Sequence, residues 1–158
     1  ADIGGGAGHL LQAVLDAAPQ AAGVLFDLPA VTEHAAAAAP DRLRLQAGDF
    51  FKDPLPACDT YMMMDVIHDW DDDRAAALLS AVRKAALPQA RLLVIETILA
   101  DVPGPDWSKI MDVIMLLFTG GRQRSRSEHE RLLNTAGFRL ERVIPTMSDM
   151  SILEAVPA

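Results

Sequence analysis

Apolar positions recur in two rhythms along this chain, and the exchange between them predicts its elements. Over residues 8–18, Leu10, Leu11, Val14 and Leu15 fall at helical spacing. Over 71–86, Ala75, Leu78, Leu79, Val82 and Ala86 line one face of an amphipathic helix. Residues 29–39 read as a helix with Pro29 in its first turn and Pro40 at its end, and 107–118 as a strongly apolar one. A last helix over 127–136 opens with Ser127 and Glu130 at capping-box spacing and stops at Gly137. Between these lie short apolar runs that read as strands: 22–27, 43–48, 58–66, 91–97, 139–143 and 151–156. Only three residues precede a glycine cluster that ordinarily follows a full strand, so the first of seven strands reads as truncated and the chain as a fragment.

Strands that alternate with helices imply a parallel sheet covered on both faces. The final two strands have no helix between them and imply an antiparallel pair at one edge. The expected fold is therefore α/β: a doubly wound, mostly parallel seven-stranded sheet, with ligands at the carboxyl ends of its strands.

Composition narrows the partners. The 158 residues carry a net charge of −8, which disfavours a nucleic-acid partner because phosphates would be repelled. No apolar run has the length of a membrane span, and no basic, apolar leader precedes the fold. The single cysteine, Cys58, excludes an internal disulfide and a multi-cysteine metal site, and a reducing cytoplasm is the expected compartment.

The candidate chemistry gathers at predicted strand ends. Gly4, Gly6 and Gly8 form GxGxG at the first strand-to-helix turn, where backbone can approach a ligand and helix N–H groups are free. The dinucleotide fingerprint needs GxGxxG, and here position 9 is His. Asp27, about twenty residues on, stands where a carboxylate accepts ribose hydroxyls. Asp49 and Phe50 follow the third strand, suited to an exocyclic amine and a base. Together these point to an adenosine-type ligand. His68 stands between an apolar strand and the acidic run Asp69, Asp71, Asp72 and Asp73, whose crowding before a helix fits capping better than metal binding. No metal is expected. His9, His34 and His129 have no partner in the pattern and are assigned no role. Met62, Met63 and Met64 read as strand and core packing.

The motifs DIGGGAG, FDLP, GDFF, IHDW, VIE and GGRQRS followed by AGF occur in the order of the plant-type small-molecule O-methyltransferases and their bacterial natural-product relatives, and the chain resembles that family over nearly its whole length. The resemblance implies a class I, Rossmann-like methyltransferase domain over residues 1–158 that binds S-adenosylmethionine. The family's N-terminal helical dimerisation domain is absent from this chain, and a homodimer is implied where that domain is present. The implied substrate is a hydroxylated aromatic small molecule. Carried over by position, Gly4, Gly6, Gly8, Asp27, Leu28, Asp49, Phe50 and Met64 resemble cofactor contacts. His68 resembles the general base, with Glu96 and Gln123 as its partners, and Asp69, Met111 and Met115 resemble the acceptor site. For Met111 and Met115, four apart on one helical face, core packing and pocket lining are both open.

Two departures stand out. The family commonly has a second acidic residue where this chain has Gln123, which implies weaker base catalysis if Gln123 reaches His68. Plant members tend to have lysine where this chain has Met64, so one of the family's cofactor contacts differs here. The chemistry suits the implied roles. A phenol with a pKa near ~10 faces a histidine near ~6.5, so complete proton transfer before attack would cost roughly 5 kcal/mol in water. Proton loss during attack, with Glu96 stabilising the imidazolium, avoids that cost. Three other readings stay open: redirected chemistry such as hydroxylation or decarboxylation with the same cofactor, nucleoside binding without turnover, and an NAD-dependent oxidoreductase, which the glycine spacing disfavours.

Overall fold

The computed structural model describes residues 1–35 and 41–158. Its strands are β1 (Asp2–Ile3), β2 (Gly23–Asp27), β3 (Leu43–Ala47), β4 (Thr60–Met64), β5 (Arg91–Thr97), β6 (Phe138–Pro145) and β7 (Met150–Pro157). Its helices are α1 (His9–Ala17), α2 (Pro29–Ala35), α3 (Asp72–Ala85), α4 (Trp107–Phe118) and α5 (Arg126–Thr135), with a 3-10 turn at Ile67–Asp69. The last part of the helix expected over 29–39, and its stop at Pro40, lie outside the described residues.

The seven strands form one sheet in the order β3-β2-β1-β4-β5-β7-β6. Strands β1 to β5 run parallel, and β7 enters antiparallel between β5 and β6. The strand order therefore reverses between β1 and β4, the switch point at which an α/β sheet opens a crevice at its carboxyl edge. Period-2 alternation divides the core. Tyr61 and Met63 pack with α3 and α5 residues such as Leu78, Leu79, Val82 and Leu133 on one face. Met62 packs with Leu11, Leu15 and Leu25 on the other. Each such side chain, fully buried, contributes about 1.5–3 kcal/mol.

Three sequence expectations change. The capping box of α5 uses Ser125 and Glu128, not Ser127 and Glu130: Ser125 Oγ accepts from Glu128 N, and Glu128 Oε2 accepts from Ser125 N. Both serines have a glutamate three residues later, so local pattern allows two frames. Tertiary packing selects the one that turns His129, Leu132 and Leu133 inward. Second, His68 stands in the 3-10 turn four residues beyond β4 rather than at a strand end, and Met64, with 41% of its surface exposed, is not core. Third, α4 buries only Ser108, and Met111 and Met115 lie outside both core clusters, half-buried. Its apolar face, including Leu116, Leu117 and Phe118, is open to solvent. No helix among the described residues is long and apolar enough to cross a membrane.

Candidate functional site

The glycine loop follows β1 directly, and Gly4, Gly6 and Gly8 all adopt positive φ. A Cβ at Gly6 would meet nothing within 4 Å, so the loop crest is open. Asp27 braces the loop from the end of β2: its Oδ2 accepts from Gly6 N at 2.8 Å and its Oδ1 from Leu28 N at 2.7 Å. Beneath the loop lies Asp2, 1% exposed, and neither of its carboxylate oxygens has a hydrogen-bond partner among the described residues. Burial pushes its pKa up to about 6. An unpaired buried carboxylate is costly, and a cationic group lodged beside it would remove much of that cost.

A pocket of about 450 Å³ opens at the ends of β2 and β3, bounded by Asp27, Leu28, Asp49, Phe50, Trp70 and Arg74 among others. Phe50, Phe51 and Trp70 pack edge to face, with Phe51 and Trp70 centroids 4.8 Å apart. The Arg74 guanidinium lies 5.2 Å from the Trp70 ring centroid. Asp49 Oδ1 accepts from Phe51 N, and its Oδ2 accepts from Lys52 Nζ at 2.6 Å. These bonds to Lys52 and Phe51 hold the Asp49 pKa below the usual carboxylate value. A larger cavity of about 820 Å³ sits at the opposite ends of the strands, around Ala1, Gly23 and Thr60. Its position away from the switch point, and the commitment of Arg42 there to the carbonyls of Leu15, Ala18 and Ala21, set it apart from the chemistry.

His68 is 8% exposed, and its Nδ1 lies 2.7 Å from Glu96 Oε2. Glu96, fully buried, accepts through Oε1 from Ile67 N at 2.9 Å and His68 N at 3.3 Å. Its second oxygen has no partner other than His68 among the described residues. The carboxylate therefore orients both the ring and the turn that carries it, and selects the tautomer with the proton on Nδ1. Nε2 is left free to accept a proton, with Asp69 Oδ1 3.7 Å away. Burial acts to lower the His68 pKa, but the Glu96 hydrogen bond and the charges of Glu96, Asp65 and Asp69 outweigh it, and the net direction is upward.

Residues 121–124 strap this turn in place. Gly121 packs against its backbone, Arg122 N donates to His68 O at 2.9 Å, and Gln123 Nε2 lies 3.4 Å from His68 Nδ1. Arg124, 1% exposed, donates to Ile67 O at 3.1 Å and Trp70 O at 2.8 Å, and its Nε donates to Asp72 at 2.9 Å. Leu99 N donates to Arg124 O, tying the strap to the chain just beyond β5. Of the acidic run, Asp71 caps α3 by accepting from Arg74 N, and Asp72 pairs with Arg124.

His129 of α5, 3% exposed, has no hydrogen-bond partner for Nε2 among the described residues. Burial pushes its pKa down to about 4. The folded chain thus refuses a proton that the unfolded chain accepts near ~6.5. The stability this residue allows is complete above that value and is lost as pH falls from there toward 4. That depression corresponds to roughly 3 kcal/mol. His129→Phe is expected to flatten the acid side of the stability curve, measured by urea unfolding between pH 4 and 7. An unchanged curve would refute the assignment.

Of the residues singled out in the sequence, the structure brings Gly4, Gly6, Gly8 and Asp27 together at the loop, Leu28, Asp49 and Phe50 at the pocket, and His68, Asp69, Glu96 and Gln123 at the turn. Asp112 of α4 accepts from Gln123 N, which anchors the helix that carries Met111 and Met115 to the strap. Met64 stands exposed at the end of β4. The sequence did not single out Asp2, Asp65, Trp70 and Arg124, which the structure places beside these groups. Asp2, Trp70 and Arg124 lay inside quoted motifs, but nothing local marked their side chains as buried groups, walls or clamps.

The family described as O-methyltransferase domain matches residues 1–139. The chain is 39% identical over 161 residues to the phenazine O-methyltransferase PhzM of Lysobacter antibioticus, covering 99% of this chain and 47% of that protein. It is 39% identical over 149 residues to the mitomycin biosynthesis 6-O-methyltransferase of Streptomyces lavendulae, covering 91% and 42%. The solved structure of human N-acetylserotonin methyltransferase in complex with SAM superposes with a TM-score of 0.93 at 34% identity, over 99% of this chain and 46% of that one. The chain spans about half the length of the curated relatives it matches.

Proposed function

We propose that this chain, which belongs to the O-methyltransferase domain family, moves a methyl group from S-adenosylmethionine to a hydroxyl of an aromatic small molecule. The observation that carries the reading is the His68–Glu96 pair, 2.7 Å apart, at the sheet edge beside an open glycine loop. The relatives are named for methylation of phenazine and mitomycin compounds, and one solved relative holds S-adenosylmethionine together with a hydroxylated naphthoic acid.

The residues present fit the cofactor. Asp2 offers a cationic group a buried carboxylate that has no hydrogen-bond partner among the described residues, Gly4, Gly6 and Gly8 admit it closely, and Asp27 would accept from ribose hydroxyls. The pocket of Leu28, Asp49 and Phe50, with Trp70 as a further wall, would hold the adenine, and Met64 stands close by in sequence at the end of β4. When bound, the cofactor supplies an electrophilic methyl group on a sulfonium. The chain then has two tasks, alignment and proton removal. His68 Nε2 accepts the acceptor's proton as attack proceeds, and Glu96 holds the imidazolium that results. The raised His68 pKa narrows its gap to a phenol. The same shift leaves less of the ring in its neutral form, so turnover is expected to rise with pH through the His68 titration. Asp69, Met111 and Met115 would border the acceptor. In the same proposal the chain works in the cytoplasm as one half of a longer protein that dimerises through an N-terminal helical region.

Incubation with methyl-labelled S-adenosylmethionine and hydroxylated phenazines or naphthoic acids tests this. Label in an aryl methyl ether is expected, with S-adenosylhomocysteine binding seen by calorimetry. Unlabelled but altered substrate would show redirected chemistry. Binding without turnover across the acceptors would leave only a nucleoside-binding domain.

A further inference from the structure

Among the described residues, Nδ1 of His68 meets Glu96 Oε2 at 2.7 Å, Gln123 Nε2 at 3.4 Å and Asp65 Oδ1 at 3.6 Å. With the Nδ1 proton donated to Glu96, the Gln123 amide meets a donor with a donor, and no hydrogen bond results. Its Oε1 has no partner among the described residues either. Gln123 is thus a neutral neighbour that adds no charge to the imidazolium. Asp65 does carry one. Asp65, His68 and Glu96 each place one polar side-chain atom within 4.8 Å of the others.

The backbone is bent to make this possible. Asp65 has φ 54° and is the one non-glycine residue with positive φ among the described residues. Aspartate and asparagine tolerate that region best among residues with a Cβ, and strained conformations of this kind collect at functional sites. Asp65 N donates to Ile95 O at 3.2 Å, which pins the bend to β5 one residue from Glu96.

We propose that Asp65 is a positioning residue for His68, supplying from within its own turn the second negative charge that Gln123 does not provide. This rests on the reading of His68 as the base. The other charged groups around the ring do not take that role. Asp69 faces Nε2, the nitrogen that must receive the proton. Arg124 directs its cation at Ile67 O and Trp70 O, and Arg122 pairs with Glu128 and Asp72. Asp112 is occupied by Gln123 N, and His129 of α5 is neutral across the working range. Asp65 acts from the rear of the ring and leaves the acceptor side clear.

The test is a nitrogen-15 NMR titration of the His68 ring in the wild-type chain, Asp65→Asn, Gln123→Glu and the double variant. Asparagine keeps the tolerance for positive φ and removes only the charge. Asp65→Asn is expected to lower the His68 midpoint by about half a unit or more, and Gln123→Glu to raise it. The double variant should return close to wild type. Asp65→Gly, which accepts the backbone without a side chain, should shift the midpoint as Asn does. In methyl transfer, Asp65→Asn should reduce kcat several-fold at unchanged KM, and the double variant should recover it. An unmoved midpoint in Asp65→Asn, or failure of Gln123→Glu to restore it, would overturn the proposal. The ring titration needs no acceptor, so it stands apart from the labelled-methyl assay: absence of turnover would sink the functional reading, and only the midpoints sink this one.

Discussion

Gly121→Ala is expected to lower the rate of methyl transfer by at least about 10²-fold and to destabilise the chain by about 1–3 kcal/mol. An added Cβ would lie 2.0 Å from His68 O, 2.4 Å from Asp69 C and 2.7 Å from Trp70 N. All three are backbone atoms, so no side-chain rotation relieves the overlap. Either the strap lifts or the turn moves. If the strap lifts, Arg122 N and Arg124 lose their bonds to the turn. If the turn moves, His68 leaves Glu96. Gly120→Ala is the control, because a Cβ there meets nothing within 4 Å and pays only for its positive φ, a cost of about 1–3 kcal/mol with no direct push on His68. Thermal unfolding checks that both variants lose comparable stability, and initial rates separate the two. A Gly121→Ala chain as active and stable as wild type would show that the strap does not hold the turn.

His68→Gln is expected to reduce kcat at neutral pH by about 10²–10⁴-fold, the usual range for a lost general base. Glutamine retains a donor for Glu96 but cannot take a proton, so the turn should persist and S-adenosylhomocysteine should bind as before. The loss should shrink as pH approaches the acceptor's own pKa, near ~10 for a phenol, because the hydroxyl then ionises unaided. A pH-rate profile with calorimetry on the same variant checks both halves. Full activity at neutral pH would mean that the proton leaves by another route.

Several features were legible because they depend on neighbours in sequence. The period of Ala75, Leu78, Leu79 and Val82 marked α3, and all four are buried. The helix-free tail correctly implied an antiparallel edge pair, since two adjacent strands without a crossover can only turn back. Where local pattern was degenerate it failed. The SxxE spacing occurs at Ser125 and at Ser127, and only the packing of α5 chose between them. Helix α4 was recognisable from its apolar run, but the sequence did not say that most of that surface would meet none of the described residues.

The site divides the same way. The sequence alone determined which chemical groups stand at which strand ends: a glycine loop after β1, Asp27 after β2, Asp49 after β3, His68 after β4 and Glu96 within β5. In a parallel sheet those ends share one edge, so their gathering followed from the alternation of elements. What only the tertiary structure decided were contacts between groups far apart in the chain and the burial that gives each its energy. Glu96 reaches the His68 turn across 28 residues, Arg124 clamps Ile67 and Trp70 across more than fifty, and Asp2 loses its water beneath a loop. Asp65 faces the ring only because one left-handed residue redirects the backbone there. Periodicity fixes which face a side chain takes. Distance and dielectric environment arise only when separate elements close on one another, and those quantities decide whether His68 can serve as a base.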